Sequence, residues 1–462
     1  MMAHRKSQLA SPKSIVTAAL GMAALLLVST GAQAPHVYAI TNARIVTAAG
    51  APIERGAIVF RDGIIEEVGA AATPPPAARI FDGKGLTVYP GLIDMGNTSA
   101  VTPAPPATGT PRTTEDAERA KRDLLLRPHV RAAEHLAIDA PAMRKLAAAG
   151  ITSVLAVPPG PAFSGQSALV NVALPEDEPQ IGSLADIRAG QPVIRTPVAL
   201  HLAVPENPPG DAYPNSLMGM IAFVRQSFVD AQYYGAVQER AARAGRPDAR
   251  VPFDPALEAL QPVVAGRMPV VYRAATVREI DRALDMSRAF KLQPILAGGL
   301  EADQLASDLK ASGVKVIYSL RYPERLKSLG PEADEPLRDI RARANAPRTP
   351  AALDKAGIVF AFESAGLEEP KDFVKNAAKA VTAGLSPDAA VRALTINAAT
   401  IAGAGARLGS LEKGKIANIV VTDGDLFGEK TTIKHVFVDG RPVRIEEPAA
   451  EKRPGQPSGL RP

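Results

Sequence analysis

Between Gly91 and roughly residue 405 the sequence alternates short apolar runs with segments of helical periodicity, and this repeat constrains the fold more than any other feature. The runs are Ile151 to Val157, Val193 to Val204, Pro269 to Tyr272, Pro294 to Ala297, Val314 to Leu320 and Ile358 to Phe362. Helical segments fall between them at Pro141 to Ala149, Ser216 to Ala244, Thr276 to Phe290, Glu301 to Ser312 and Asp372 to Ala383. Such text marks parallel β/α units and predicts an α/β fold of TIM type, a β/α barrel, over residues 91–405. Chemistry in a barrel sits at the carboxyl ends of the strands, so the Pro/Ala/Thr-rich insertion Val101 to Pro111, directly after the first strand, belongs to that face.

Both flanks read differently. Ala39 to Thr47, Gly56 to Phe60, Ile64 to Val68, Arg79 to Phe81 and Leu86 to Val88 are strand candidates, with Asp62-Gly63 a hairpin signal. Strand text returns at Ile416 to Thr422 and His435 to Val438. The two ends are therefore expected to build one small β domain from residues 35–90 and 406–445, with a disordered, charged and Pro/Gly-rich tail at 446–462.

Residues 1–34 have the form of a signal peptide: Arg5, Lys6 and Lys13, then an apolar run from Ile15 to Val28, then Ser29 to Ala34. An exported, periplasmic or extracellular protein is expected, with no stable membrane span after cleavage, because the run is short of the ~20 residues a spanning helix needs. Cysteine is absent, which excludes disulfides and thiolate metal sites. The formal charge of +5 includes those three leader residues, and subtracting them leaves +2. With no Trp and only 4% aromatic residues, this balance argues against a nucleic-acid partner.

Several separated segments carry a resemblance. Tyr89-Pro90-Gly91-Leu92-Ile93-Asp94, Leu394 to Ala399, Gly409-Ser410-Leu411-Glu412-Lys413-Gly414-Lys415 with Ile416 to Val421, and Val436 to Arg441 together resemble the amidohydrolase superfamily, particularly its imidazolonepropionase-related branch. The resemblance implies a barrel with a β-sandwich built from both chain ends. It also implies hydrolysis of amides, cyclic amides or other non-peptide C–N bonds by a metal-bound hydroxide, since a divalent ion lowers the pKa of water from about 15.7 towards ~7. The family's ligands are an HxH pair on the first strand, often a bridging lysine, histidines on the fifth and sixth strands, and an aspartate on the eighth. Here the pair falls on Gly96 and Thr98, the sixth-strand histidine on Gly298 and the aspartate on Ala365, while the fifth strand, Val271 to Thr276, has no histidine and His201 falls near the lysine position.

The other histidines offer no replacement. His129 and His135 are six apart, which places them on different faces of a helix, and His435 lies on a terminal strand. No cofactor is predicted, and zinc enters only with an unrecognised ligand set. Arg273 could supply the missing positive charge, pairing with Glu363 or Glu206, because a buried charge requires a partner. Candidate catalytic residues are thus Arg273, His201, Glu363 and Asp94, with Asp94 more structural than catalytic. Ser164, Gly165 and Gln166, read as a loop near the pocket, are candidate substrate contacts. The expectation is a catalytically impaired homologue that binds a small molecule or joins a homo- or hetero-oligomer with an active relative; the alternative is an active amidohydrolase with an atypical metal site.

Overall fold

The computed structural model describes residues 37–103, 112–137, 139–172, 193–206, 208, 212–244, 252–330 and 332–445. The expected leader, most of the insertion after the first strand and the C-terminal tail lie outside the described residues.

Eighteen strands are described: β1 (Val37–Ile45), β2 (Ile53–Arg61), β3 (Ile64–Gly69), β4 (Arg79–Asp82), β5 (Thr87–Pro90), β6 (Leu92–Asn97), β7 (Ile151–Ala156), β8 (Phe163–Gln166), β9 (Ala168–Asn171), β10 (Val193–Arg195), β11 (Leu200–Ala203), β12 (Val270–Ala274), β13 (Pro294–Gly298), β14 (Lys315–Ser319), β15 (Phe360–Glu363), β16 (Ile419–Thr422), β17 (Ile433–Val438) and β18 (Arg441–Val443). They form three sheets. One has eight strands in the order β18-β17-β16-β5-β1-β2-β3, with β4 also paired to β1, so both chain ends contribute to it. Its centre is apolar, with Ile40, Ile58, Val88, Ile419 and Phe437 buried together. Phe60 meets Phe437 edge-on with ring centroids 5.1 Å apart. The Asp62-Gly63 turn joins β2 to β3 with φ of 47° and 84°, the double positive φ a two-residue hairpin needs.

The remaining sheets are mixed, in the orders β10-β9-β7-β6 and β15-β14-β13-β12-β11-β8. From β11 to β15 all pairs are parallel, while β8 runs antiparallel to β11. The two sheets meet where the residue after β15, Ser364, donates its backbone N–H to Asp94 Oδ1 of β6 at 2.8 Å. Helices follow most strands of the longer sheet, and Val277–Phe290, after β12, begins from a capping box of Thr276 and Glu279. Among the described residues no helix is long and apolar enough to cross a membrane.

Two expectations need correction. The run Val193 to Val204 is two strands in different sheets, because Pro197 has no N–H to donate to a ladder. The segment Ser164 to Gln166 is part of strand β8, paired to β11 with Gly165 opposite His201.

Candidate functional site

Strand alternation sorts the side chains of the longer sheet. Val271, Ile295, Ala297, Ile317 and Ala361 share one apolar cluster with Ile93 and Met95 of β6, whereas Tyr272 packs in another cluster and Leu296, Tyr318 and Phe362 in a third. Since successive strand residues face opposite sides, Arg273, Ser319 and Glu363, each two positions beyond a member of the first cluster, share its side at the carboxyl end. His201, flanked by Leu200 and Leu202 on the other side, belongs to it too.

The registers set the levels. Arg273 is aligned with Ala297, Ala297 with Ile317, and Ile317 with Ala361, which leaves Glu363 one inward-facing position further on. The arginine stem spans that step. Arg273 Nη1 donates to Glu363 Oε1 at 2.9 Å and Nη2 to Oε2 at 3.1 Å, a two-pronged pair. Its ends differ in environment: the Glu363 side chain is 1% exposed and that of Arg273 is 47% exposed. Burial pushes the Glu363 carboxyl up, and the Arg273 guanidinium pulls it partly back. Arg273 itself is raised, chiefly by the charge of Glu363. Of the two acids considered as partners for Arg273, Glu363 holds it and Glu206 is exposed.

Below the pair, His201 is aligned with Val271, is 6% exposed, and its Nε2 has no hydrogen-bond partner. Burial, assisted by the charge of Arg273, lowers its pKa to about 3. The ring is therefore neutral at any ordinary pH. Because the folded value lies below the unfolded one of about 6.5, His201 contributes stability above that pH and loses it as the pH falls towards the folded value. At pH 5 the wild type should have lost about 2 kcal/mol that a His201→Gln variant does not lose. Urea titrations of both proteins from neutral to acid pH measure this difference, and parallel curves would remove the buried neutral ring from the account.

Asp94 is fully buried and acts as a clasp. Its Oδ1 accepts from the backbone N–H groups of Gly96 at 3.1 Å and Ser364 at 2.8 Å, and its Oδ2 from the Ser364 hydroxyl at 2.8 Å and Asn97 Nδ2 at 3.4 Å. Burial nevertheless holds its carboxyl above the ordinary range. These bonds tie β6 to the end of β15, a structural task.

Gly96 completes the site. A Cβ built there would overlap Glu363 Oε2 and lie 2.8 Å from Glu363 Cβ. The carboxylate thus occupies the space that a side chain at 96 would need. The other ligand positions are equally unsuited. Gly298 has φ of 97°, and a Cβ there would come to 3.1 Å from the Ala274 carbonyl oxygen. Ala365 sits at φ of 49°, and Thr98 is exposed in the bend after β6. Among the described residues no three His, Asp or Glu side chains converge as metal ligands. The side chains present do not fit the metal centre of the resemblance, and the place beside Gly96 is taken by an ion pair.

The candidate substrate contacts Ser164, Gly165 and Gln166 also make close contacts within the fold. Gln166 Nε2 donates to the Pro128 carbonyl at 2.9 Å, and Gly165 has φ of 132° where a Cβ would come within 2.5 Å of the Val130 carbonyl oxygen. Ser164 is buried beside them. His435 packs its ring against Phe81 at 5.3 Å, far in sequence from the mouth residues. Two residues of this site were not anticipated, Ser319 and Ser364. Ser319 is the single polar residue of the run Val314 to Leu320 apart from Lys315 and Tyr318, at the inward parity of Ile317, and that was the available signal.

Comparison with known proteins agrees with this architecture. The sequence model of the Amidohydrolase family matches residues 294–443. Over that stretch, about a third of the chain, the sequence is similar to the family. A protein described as Amidohydrolase tasK, from Hapsidospora irregularis, is 26% identical over 416 residues, covering 87% of this chain, which in turn spans 40% of that longer relative. The crystal structure of an amidohydrolase from Thermotoga maritima superposes with a TM-score of 0.71 at 23% identity, over 88% of this chain and 99% of that one. A prolidase solved with N-methylphosphonate-L-proline gives a TM-score of 0.52 at 18% identity over 88% and 99% of the respective chains. Both solved structures share the fold.

Proposed function

We propose that this chain is an amidohydrolase-fold protein, its two mixed sheets closing as a barrel, in which an arginine–glutamate pair stands at the strand ends in place of a metal centre. It serves as a small-molecule-binding or partner protein. The observation that carries this reading is the Glu363 carboxylate, gripped by both Arg273 nitrogens in the space a side chain at 96 would fill. Arg273 keeps a solvent-facing side, so the ligand class is a small molecule with a carboxylate or carbonyl acceptor. Export behind a leader ending near residue 34 belongs to the same reading.

A second reading is an active hydrolase of non-peptide C–N bonds, of the imidazolonepropionase-related kind. It is favoured by the family match over residues 294–443. Metal content per chain, measured by plasma mass spectrometry on protein purified without chelator beside a metal-loaded family enzyme, separates the two. The expected result is no stoichiometric metal and no turnover of amides or cyclic amides. About one or two equivalents of zinc, manganese or iron accompanied by turnover would establish the second reading instead.

A further inference from the structure

At the opposite end of β11 and β12, before the strands begin, the structure has an open cavity of about 520 Å³. Three arginines from separate stretches of chain line it: Arg195 at the end of β10, Arg267 in the turn ahead of β12, and Arg407 beyond the helix Ile396–Ile401. No acidic residue is among its lining residues within the described part of the chain. Two of the guanidinium groups are tied to the rim by backbone carbonyls, Arg195 Nη1 donating to Gly403 O and Arg407 Nη1 to Ile194 O. One bond each leaves most of their five N–H donors unused. The Arg267 side chain makes no hydrogen bond or ion pair among the described residues.

We infer that this cavity is a binding site for a small polyanion of the di- or triphosphate type. Three positive charges with no acid among the described lining residues repel one another, and a multiply charged oxyanion placed among them removes that repulsion. Guanidinium forks match phosphate oxygens in pairs, which a monoanion cannot exploit three times over. The volume falls within the range of small-molecule sites, about 300–1,000 Å³, and exceeds what one tetrahedral oxyanion needs. Arg195 and Arg407, braced on backbone carbonyls, are pre-oriented, while Arg267 is free to swing onto the ligand. The site is separate from the Arg273–Glu363 pair, so it stands or falls independently of the function proposed above.

Titration calorimetry of the full chain with pyrophosphate, at low ionic strength where a charged site is least screened, tests this. Saturable binding is expected, weaker by about tenfold or more for inorganic phosphate and absent for acetate. Arg267→Ala should weaken pyrophosphate binding by at least about tenfold without moving the unfolding midpoint, since that side chain makes no hydrogen bond or ion pair among the described residues. Arg338→Ala, which removes an equal charge from an exposed helix elsewhere, should leave binding unchanged. No saturable heat with pyrophosphate, an Arg267→Ala protein that binds as tightly as wild type, or an equal loss in Arg338→Ala would each overturn the assignment.

Discussion

Replacing Arg273 with leucine should destabilise the protein by about 3–5 kcal/mol at neutral pH, because it strands the buried Glu363 carboxylate without its counter-charge. Changing both residues to leucine should restore most of that loss, since the expense of desolvating the carboxylate then disappears as well. The effect should also depend on pH. Burial already raises the Glu363 carboxyl, and without Arg273 nothing opposes the rise. A group with a raised folded pKa gives stability in acid that is lost as the pH climbs through that value, so the Arg273→Leu deficit should be larger at about pH 8 than at about pH 5. Urea unfolding of the two single variants and the double variant at both pH values measures it. A loss below about 1 kcal/mol, equal at both, would mean that the carboxylate finds water or another partner.

Gly96→Ala is the second large effect. One methyl group would enter the space of the Glu363 carboxylate, so either Glu363 leaves Arg273 or β6 moves away from β15. Overpacking of this kind costs about 1–3 kcal/mol, and the disturbed ion pair places this case at the upper end. In a Glu363→Ala background the same change should cost about 1 kcal/mol or less, giving a strong coupling in a double-mutant cycle. Strictly additive losses would show that residues 96 and 363 do not compete for one space. The test bears directly on the proposed function, because a histidine at 96 would meet the same obstacle with a larger side chain.

The extent to which the sequence reveals this site follows from the range of the interactions involved. Local rules were readable: Asp62-Gly63 has the two positive φ values of its hairpin, and Arg273 and Glu363 stand at strand ends where alternation turns them inward. Their pairing could be anticipated from charge alone, since a buried carboxylate requires a cation. What could not be read was contact between distant segments. The Asp94–Ser364 clasp joins residues 270 apart, and nothing local to Ser364 marks it as a donor to β6. The approach of Glu363 to Gly96 depends on the same closure, so the loss of histidine at 96 was visible while the group that replaces it was not. Val193 to Val204 shows a different failure, in which continuity of apolar residues outweighed the proline that divides them. The three cavity arginines are scattered among many on the surface, and only the folded chain collects them.

The sheet shared by both chain ends has a consequence for synthesis. β5 gains its β16 neighbour only when Thr422 reaches Thr87, 335 residues earlier, so during translation that edge stays open until almost the whole chain has emerged. An unpaired strand edge is a template for wrong partners, and closure over so long a separation is slow. A chain ending before residue 419 would keep β5 exposed indefinitely, which makes premature termination a route to aggregation as well as to loss of the last strands.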